Sequence, residues 1–476
     1  MTALLVADSV SVFAKERIVE PASLSLHGGR PFTILGETGS GKSLLAQAIM
    51  GTLPQGLRAE GCITIAGQRL SLAAGQGHRS LWGRVISVLP QEPWLALDPT
   101  MRAREQVAEG YGFVRGLNKA EADLQAEADL ASLGLNDAGG RLPSQLSGGM
   151  AQRVAFAAAR AGGARVVIAD EPTKGLDVAR RDDVIALLMR EVEQGGGLLT
   201  ITHDLELARR MGGDLAVMLN GAIIEQGPAE EVLGDPRHAY TRRLIAADPA
   251  HWPDGSPRRT TGQPILMAEN LGKARGGQRL FSGQKLTVHP GEIIGITGPS
   301  GCGKSTFGDI LLGLLPPDEG TVRRIEGQPA IKFQKLYQDP PSAFPQRITL
   351  RRAILDLVER HGLDAARIGP LLRRLRLSPE LLDRRPTEVS GGELQRFALL
   401  RVLLLDPVFL FADEPTSRLD LITQQETVGL LVELAREEGC AVLIVSHDAE
   451  LIRKVSDRQI RFAGEGGLGE ASARVA

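Results

Sequence analysis

The sequence predicts an α/β fold built twice over within one chain, and three observations carry that expectation. A glycine-rich G-x-x-x-x-G-K-S segment stands between an apolar run and a helical pattern at Gly36–Ser43, and again at Gly298–Ser305. An apolar run ending in a carboxylate, the pattern of a buried parallel strand, occurs at Val166–Asp170 and at Phe409–Asp413. The same ordered set of short motifs then recurs on nearly one ruler: Ser147 and Ser390 are 243 residues apart, Glu171 and Glu414 are 243 apart, and His203 and His447 are 244 apart. Lys42 and Lys304 are 262 apart because the stretch from lysine to glutamine is longer in the first half. Such self-similarity is an internal duplication.

Each glycine-rich segment has the strand, loop, helix context of a phosphate cradle, following Phe32–Leu35 and Ile293–Thr297. Glycines let the backbone turn its N–H groups inward, and the helix N-terminus adds a positive end. The residues expected to wrap phosphate are Gly36, Glu37, Thr38, Gly39, Ser40, Gly41, Lys42 and Ser43 in the first half. In the second they are Gly298, Pro299, Ser300, Gly301, Cys302, Gly303, Lys304, Ser305 and Thr306. Lys42 and Lys304 are expected on the β- and γ-phosphates, with Ser43 and Ser305 offering a hydroxyl to Mg²⁺. Asp170 and Asp413 are expected to hold that metal, and Glu171 and Glu414, one residue later, to polarise or deprotonate the attacking water. A plain glycine turn and a surface carboxylate are the bland alternatives; their joint repetition argues against both.

At LSGGM (Leu146–Met150) and VSGGE (Val389–Glu393), with each serine 24 residues before its glutamate, the chain resembles the ABC ATPases and their signature. That resemblance spans nearly the whole sequence. It implies two tandem P-loop NTPase (RecA-like) ABC ATPase domains, each with an inserted helical subdomain, packed head to tail. Ser147 and Ser390 suit the start of a helix, presenting hydroxyl and N–H groups to phosphate. In the family that phosphate belongs to ATP on the opposite domain. The resemblance therefore implies one site pairing Lys42, Gln91, Glu171 and His203 with Ser390, Gly391 and Gly392, and another pairing Lys304, Gln338, Glu414 and His447 with Ser147, Gly148 and Gly149. His203 and His447 are implied as γ-phosphate contacts, and Gln91 and Gln338 as ligands that sense Mg²⁺ and the water. ATP and Mg²⁺ are the implied cofactors, and hydrolysis is expected at both sites.

The chain departs from the family pattern in places. Phe13, 29 residues before Lys42, matches the aromatic that stacks on adenine, but the same position in the second half is Arg275. Lys174 stands in Pro172–Asp177, where small residues are more usual. The expected layout is a first domain over residues 1–246, a Pro/Gly linker over 247–264, a second domain over 265–463 and a flexible tail over 464–476.

Within the family, Gly51–Leu70, Gln91–Glu109 and, more loosely, Gln338–Leu350 resemble the oligopeptide, dipeptide and nickel importer ATPases. Asp235–Pro249 resembles their His-Pro-Tyr-Thr tail, with Ala239 in place of the proline. That implies two integral membrane permease subunits and an extracytoplasmic solute-binding protein as partners, with peptide as the first expected solute and nickel or a metal chelate next. A non-transport ABC ATPase attached to a soluble enzyme complex stays open; a ribosomal role would need a long charged linker, and a chromosome-maintenance role a long coiled coil. Composition agrees with an ordinary globular chain: 43% hydrophobic, 24% charged, net charge −2 and only 4% aromatic, so no nucleic-acid partner is expected. Cys62, Cys302 and Cys440 lie far apart without metal-ligand spacing, and no iron–sulfur cluster is expected. No signal-like start and no apolar run of membrane-spanning length occurs, so the expected location is cytoplasmic, peripheral on the inner face of the cell membrane.

Overall fold

Runs buried at every position, Phe32–Leu35 and Gly197–Thr202, lie side by side in the middle of the first sheet. The structure, a computed structural model, describes residues 3–74, 77–89, 96–173, 178–255, 262–299, 301–417, 419–463 and 467–469. The chain separates into two units, Met1–Ile245 and Ala246–Ala476.

In the first unit a six-stranded sheet runs in the order Ala222–Pro228, Asp214–Leu219, Phe32–Leu35, Gly197–Thr202, Val166–Asp170, Ile86–Leu89. Every pair is parallel except the edge hairpin of the first two. A sheet covered on both faces explains why its strands read as continuous apolar runs. One face packs against the helix Lys42–Met50 and a four-stranded antiparallel sheet, sharing a core that includes Leu5, Val12, Ile34, Leu45, Ile49 and Ile168. The other face buries Leu89, Phe156, Val167, Leu188 and Leu207 beneath the helices Gly148–Ala161, Val178–Glu193 and Leu205–Met211. Helices Ala103–Glu109 and Lys119–Ser132 form a separate small core, with Val107, Tyr111, Ala126 and Leu130 packed on Val154. This is the helical subdomain, inserted between the Ile86–Leu89 strand and the signature helix.

The second unit repeats this order: Phe333–Leu336, Phe409–Asp413, Ala441–Val445, Ile293–Thr297, Arg458–Ala463, Gly467–Gly469, read from the opposite edge. Its antiparallel sheet has three strands, Gln278–Val288, Leu266–Arg275 and Glu319–Arg324. Phe281, Phe307 and Phe462 meet edge to face, with centroids 5.3 to 5.9 Å apart, where the two sheets sandwich the helix Lys304–Leu311. Helices Leu350–His361 and Ile368–Arg374 pack Ile354, Leu371 and Leu372 against Phe397 and Leu400 of Gly391–Leu404.

Both antiparallel sheets carry the same bulge. Ser9 (φ 53°) and Asn270 (φ 54°) sit in the left-handed region, each facing a glycine of the neighbouring strand. A Cβ on Gly61 would lie 2.5 Å from the Ser9 carbonyl oxygen, and one on Gly320 2.3 Å from that of Glu269, so only glycine fits.

Part of the expected linker is anchored to the second unit. Trp252 is buried in that unit's core, its Nε1 donating to the Ala247 carbonyl at 3.0 Å, and Asp254 pairs with Arg453 at 2.7 Å and Lys454 at 3.0 Å. Within the expected tail, Gly467–Gly469 pairs antiparallel with Arg458–Ala463 as an edge strand. Among the described residues no helix is long and apolar enough to cross a membrane.

Candidate nucleotide sites

Each central strand, Phe32–Leu35 and Ile293–Thr297, ends at the first glycine of a loop that turns into a helix beginning at the lysine. Gly41 (φ 97°) and Gly303 (φ 99°) make that turn in the left-handed region, which glycine enters without a Cβ clash. Lys42 and Lys304 are buried, and each ammonium donates to two loop carbonyls. For Lys42 these are Gly36 at 2.8 Å and Glu37 at 2.7 Å; for Lys304 they are Gly298 and Pro299, both at 2.8 Å. The positive charge thus sits inside the loop's curve, with Ser40 buried beside it and Thr38 and Gly39 exposed at the tip. Ser300 lies outside the described residues.

The residue after each lysine faces the end of the carboxylate strand. Ser43 Oγ donates to Asp170 Oδ1 at 3.3 Å and Ser305 Oγ to Asp413 Oδ1 at 3.0 Å. One hydroxyl and one carboxylate converging at a phosphate loop fit Mg²⁺, a hard ion that takes few protein oxygens and completes its shell with water and phosphate. Burial pushes the Asp413 carboxyl above the usual range, the Ser305 hydroxyl and the Lys335 ammonium oppose that rise, and the Glu414 charge adds to it.

Glu171 (φ 49°) and Glu414 (φ 48°) both sit in left-handed backbone. Such a conformation costs on the order of 1 kcal/mol and persists where the surroundings enforce it. Here the enforcement is a hydrogen bond from each N–H to the neighbouring strand, at the carbonyls of Ile201 (2.8 Å) and Val445 (3.1 Å). The kink aims the carboxylates at the histidines: Glu171 Oε1 lies 2.7 Å from His203 Nδ1, and Glu414 Oε1 lies 2.8 Å from His447 Nε2. The other Glu414 oxygen accepts from Gln338 Nε2 at 2.7 Å, and the other Glu171 oxygen from Thr202 Oγ1 at 3.4 Å. In the second unit the expected glutamate, histidine and glutamine therefore meet around one carboxylate. Gln91 and residues 174–177, which include Lys174, lie outside the described residues.

Ser147 and Ser390 cap the helices Gly148–Ala161 and Gly391–Leu404, each Oγ accepting at 3.3 Å from the backbone N–H three residues on. Glu393 closes a capping box on Ser390, accepting from its N–H and its hydroxyl at 2.8 Å each; Met150 occupies that place in the first unit. A Cβ on Gly149 or Gly391 would meet nothing within 4 Å, whereas one on Gly392 would press on Thr423 at 3.1 Å. Bare backbone at a helix start is open to an approaching anion. Phe13 and Arg275 occupy the same place, the end of the first antiparallel strand. Arg58 and Arg17 lie over the Phe13 ring, at 4.3 and 5.3 Å from its centre, while Arg275 is exposed.

Two glutamines escaped the motif reading, and the contact made by Tyr240 of the Asp235–Pro249 tail was not foreseen. Gln152 and Gln395 are buried, and each donates through Nε2 to the carbonyl of the proline after the glutamate, Pro172 or Pro415, at 3.0 Å. They tie each signature helix to its carboxylate strand, and their shared spacing of 243 residues was the available signal. Tyr240, in the helix Ala239–Ala246, accepts at its hydroxyl from the Glu37 N–H at 3.2 Å, so the tail helix touches the first phosphate loop.

Two P-loops, each facing a strand-end aspartate and a following glutamate, define a nucleoside-triphosphate-hydrolysing class of protein. The family model described as "ABC transporter" matches residues 19–174 and 281–417. The chain belongs to the ABC transporter family of ATP-binding proteins and is an ATPase with two such domains. It is 33% identical to the "Glutathione import ATP-binding protein GsiA" of Escherichia coli (strain K12), over 92% of this chain and 81% of that one. It is 31% identical to the "Peptidoglycan transport ATP-binding protein YejF" of Agrobacterium fabrum, over 92% and 86%. Among solved structures, "RNase-L Inhibitor" matches with a TM-score of 0.63 at 24% identity, covering 96% of this chain and 88% of that one. That likeness shows the fold alone.

Proposed function

We propose that the chain is the ATP-hydrolysing, energy-coupling subunit of an importer for small peptides or peptide-like solutes. The likeness to the import and transport proteins over 92% of the chain carries this reading. It is supported by the Asp235–Pro249 tail, whose Tyr240 hydroxyl accepts from the Glu37 N–H of the first phosphate loop.

In this reading Lys42 and Lys304 leave their loop carbonyls for the β- and γ-phosphates, which the loop N–H groups surround. Ser43 with Asp170, and Ser305 with Asp413, would hold Mg²⁺, which would supply neutralisation of phosphate charge. Glu171 and Glu414, aimed by their kinked backbone, take the proton of the attacking water. His203 and His447 fix those carboxylates and are assigned to the γ-phosphate. Gln338, bonded to Glu414, orients the water from the other side, and Gln91 is assigned that role in the first unit. Ser147, Gly148 and Gly149, with Ser390, Gly391 and Gly392, offer helix-start N–H groups to a γ-phosphate. Phe13 supports adenine after Arg58 swings aside.

Two integral membrane permease subunits and an extracytoplasmic solute-binding protein complete the assembly, with this chain on the inner membrane face. The test is co-purification from membranes followed by reconstitution in vesicles. Expected is uptake of a labelled tripeptide that needs ATP on this chain's side and is lost in Glu171→Gln/Glu414→Gln. Recovery with soluble enzymes or ribosomes and no permease overturns the reading.

A further inference from the structure

The two signature helices are capped alike and part company three residues after the capping serine. Ser147 and Ser390 each accept at Oγ from the backbone N–H of that residue, which is Met150 in the first unit and Glu393 in the second. Glu393 turns back on its cap. One carboxylate oxygen, Oε2, accepts from the Ser390 N–H and from the Ser390 hydroxyl, both at 2.8 Å. Met150 has no oxygen with which to do either.

A serine hydroxyl has a single hydrogen to give. At Ser390 that hydrogen goes to a carboxylate, and a hydrogen bond to a charged acceptor is about twice as strong as one between neutral groups. The N–H of the same residue is committed to the same oxygen. Ser390 and Gly391 are exposed, and a Cβ on Gly391 would meet nothing within 4 Å, so there is room for a phosphate to approach this helix start. What the phosphate meets differs between the units. At Ser147 the hydroxyl hydrogen faces no carboxylate from its own cap. At Ser390 the phosphate must take that hydrogen from Glu393, and it approaches a negative charge one hydrogen bond away from the hydroxyl. Glu393 is an anion already seated where a helix start would receive one.

We propose that Glu393 competes with the γ-phosphate for Ser390, so that the second signature helix engages a nucleoside triphosphate only after Glu393 swings aside, whereas the first engages it directly. The proposal rests on the assignment of Ser147 and Ser390 to a γ-phosphate. ADP lacks the group that Glu393 contests, so the penalty falls on ATP alone. Glu393 thereby sets how strongly one nucleotide site of this chain distinguishes ATP from ADP.

Equilibrium binding of ATP and of ADP to the full chain tests this, with Glu171→Gln/Glu414→Gln to prevent turnover. Adding Lys42→Ala or Lys304→Ala leaves a single phosphate loop to report. Glu393→Gln retains the capping box and removes the charge. In one of the two single-loop chains it is expected to tighten ATP about tenfold, with ADP unchanged. Glu393→Met, which copies the first unit, should do the same. The reverse implant, Met150→Glu, should weaken ATP by a similar factor in the other single-loop chain, so a variant that fails to fold does not remove the test. ATP affinity left unchanged by both Glu393→Gln and Met150→Glu overturns the proposal, and so does a change that ADP shares in full. Ser147→Ala and Ser390→Ala probe the assignment beneath it. If neither alters the preference for ATP over ADP, that assignment falls; if they alter it and Glu393→Gln does not, the proposal falls alone.

Discussion

Glu171 and Glu414 hold a backbone conformation that non-glycine residues avoid, and they hold it at the same point of both units. The strain is small beside what it secures, a carboxylate fixed on a histidine within hydrogen-bond distance. Glutamine at either position keeps the shape and loses the carboxylate charge. Phosphate release from Glu171→Gln/Glu414→Gln should fall about 10²- to 10⁴-fold, while binding of a fluorescent ATP analogue persists. Gln152 and Gln395 act one step further out. Alanine at either strands a buried proline carbonyl, and a melting experiment should show a loss of about 1–3 kcal/mol in the unit concerned. The two glutamates could be placed at strand ends from sequence because strand and carboxylate are adjacent in the chain. The two buried glutamines could not, because spacing does not say which way a helical side chain points. The resemblance named Phe13 for adenine, yet Arg58 covering its ring is a tertiary contact that no motif encodes.

Elements set which parts can work together. The Tyr240 hydroxyl of the tail helix Ala239–Ala246 meets the first phosphate loop, so the loop's shape depends on chain some 200 residues away. Tyr240→Phe removes that acceptor and leaves the buried ring in place. ATP affinity at the first site should drop by severalfold, and that of the second should stay as it was, read by equilibrium binding in the Lys304→Ala and Lys42→Ala chains. Arg160 plays a comparable part between helices. Its guanidinium reaches Glu191 at 2.7 Å and Asp129 at 3.4 Å, and Asp129 also accepts from the Tyr111 hydroxyl at 2.6 Å. Burial, followed by that bond to Asp129, pushes Tyr111 up to about 12. Arg160→Met leaves two half-buried carboxylates without their cation, and the first unit should lose about 2 kcal/mol in thermal or denaturant unfolding. Strands ending in carboxylates and helices following glycine loops were plain in the sequence. The Pro/Gly stretch after residue 246 read as linker because composition alone does not show Trp252 finding a core.

For the whole molecule, the duplication is the fact from which the rest descends. Two P-loops predict two bound nucleotides per chain, falling to one in Lys42→Ala and one in Lys304→Ala; calorimetry or a filter assay counts them. What the repeated spacing could show was the shared plan. What it could not show was divergence between motifs, such as Val88 against Lys335 at matching strand positions, because neither residue belongs to a motif. The bulges at Ser9 and Asn270, each opposite its own glycine, give that divergence a chronology. A kink so costly to install twice at one place was inherited, which means a single ancestral unit already bent its strand there before the gene doubled. Whatever the two copies hold in common descends from that ancestor, and a difference such as Glu393 against Met150 at the signature helices belongs to the history they did not share.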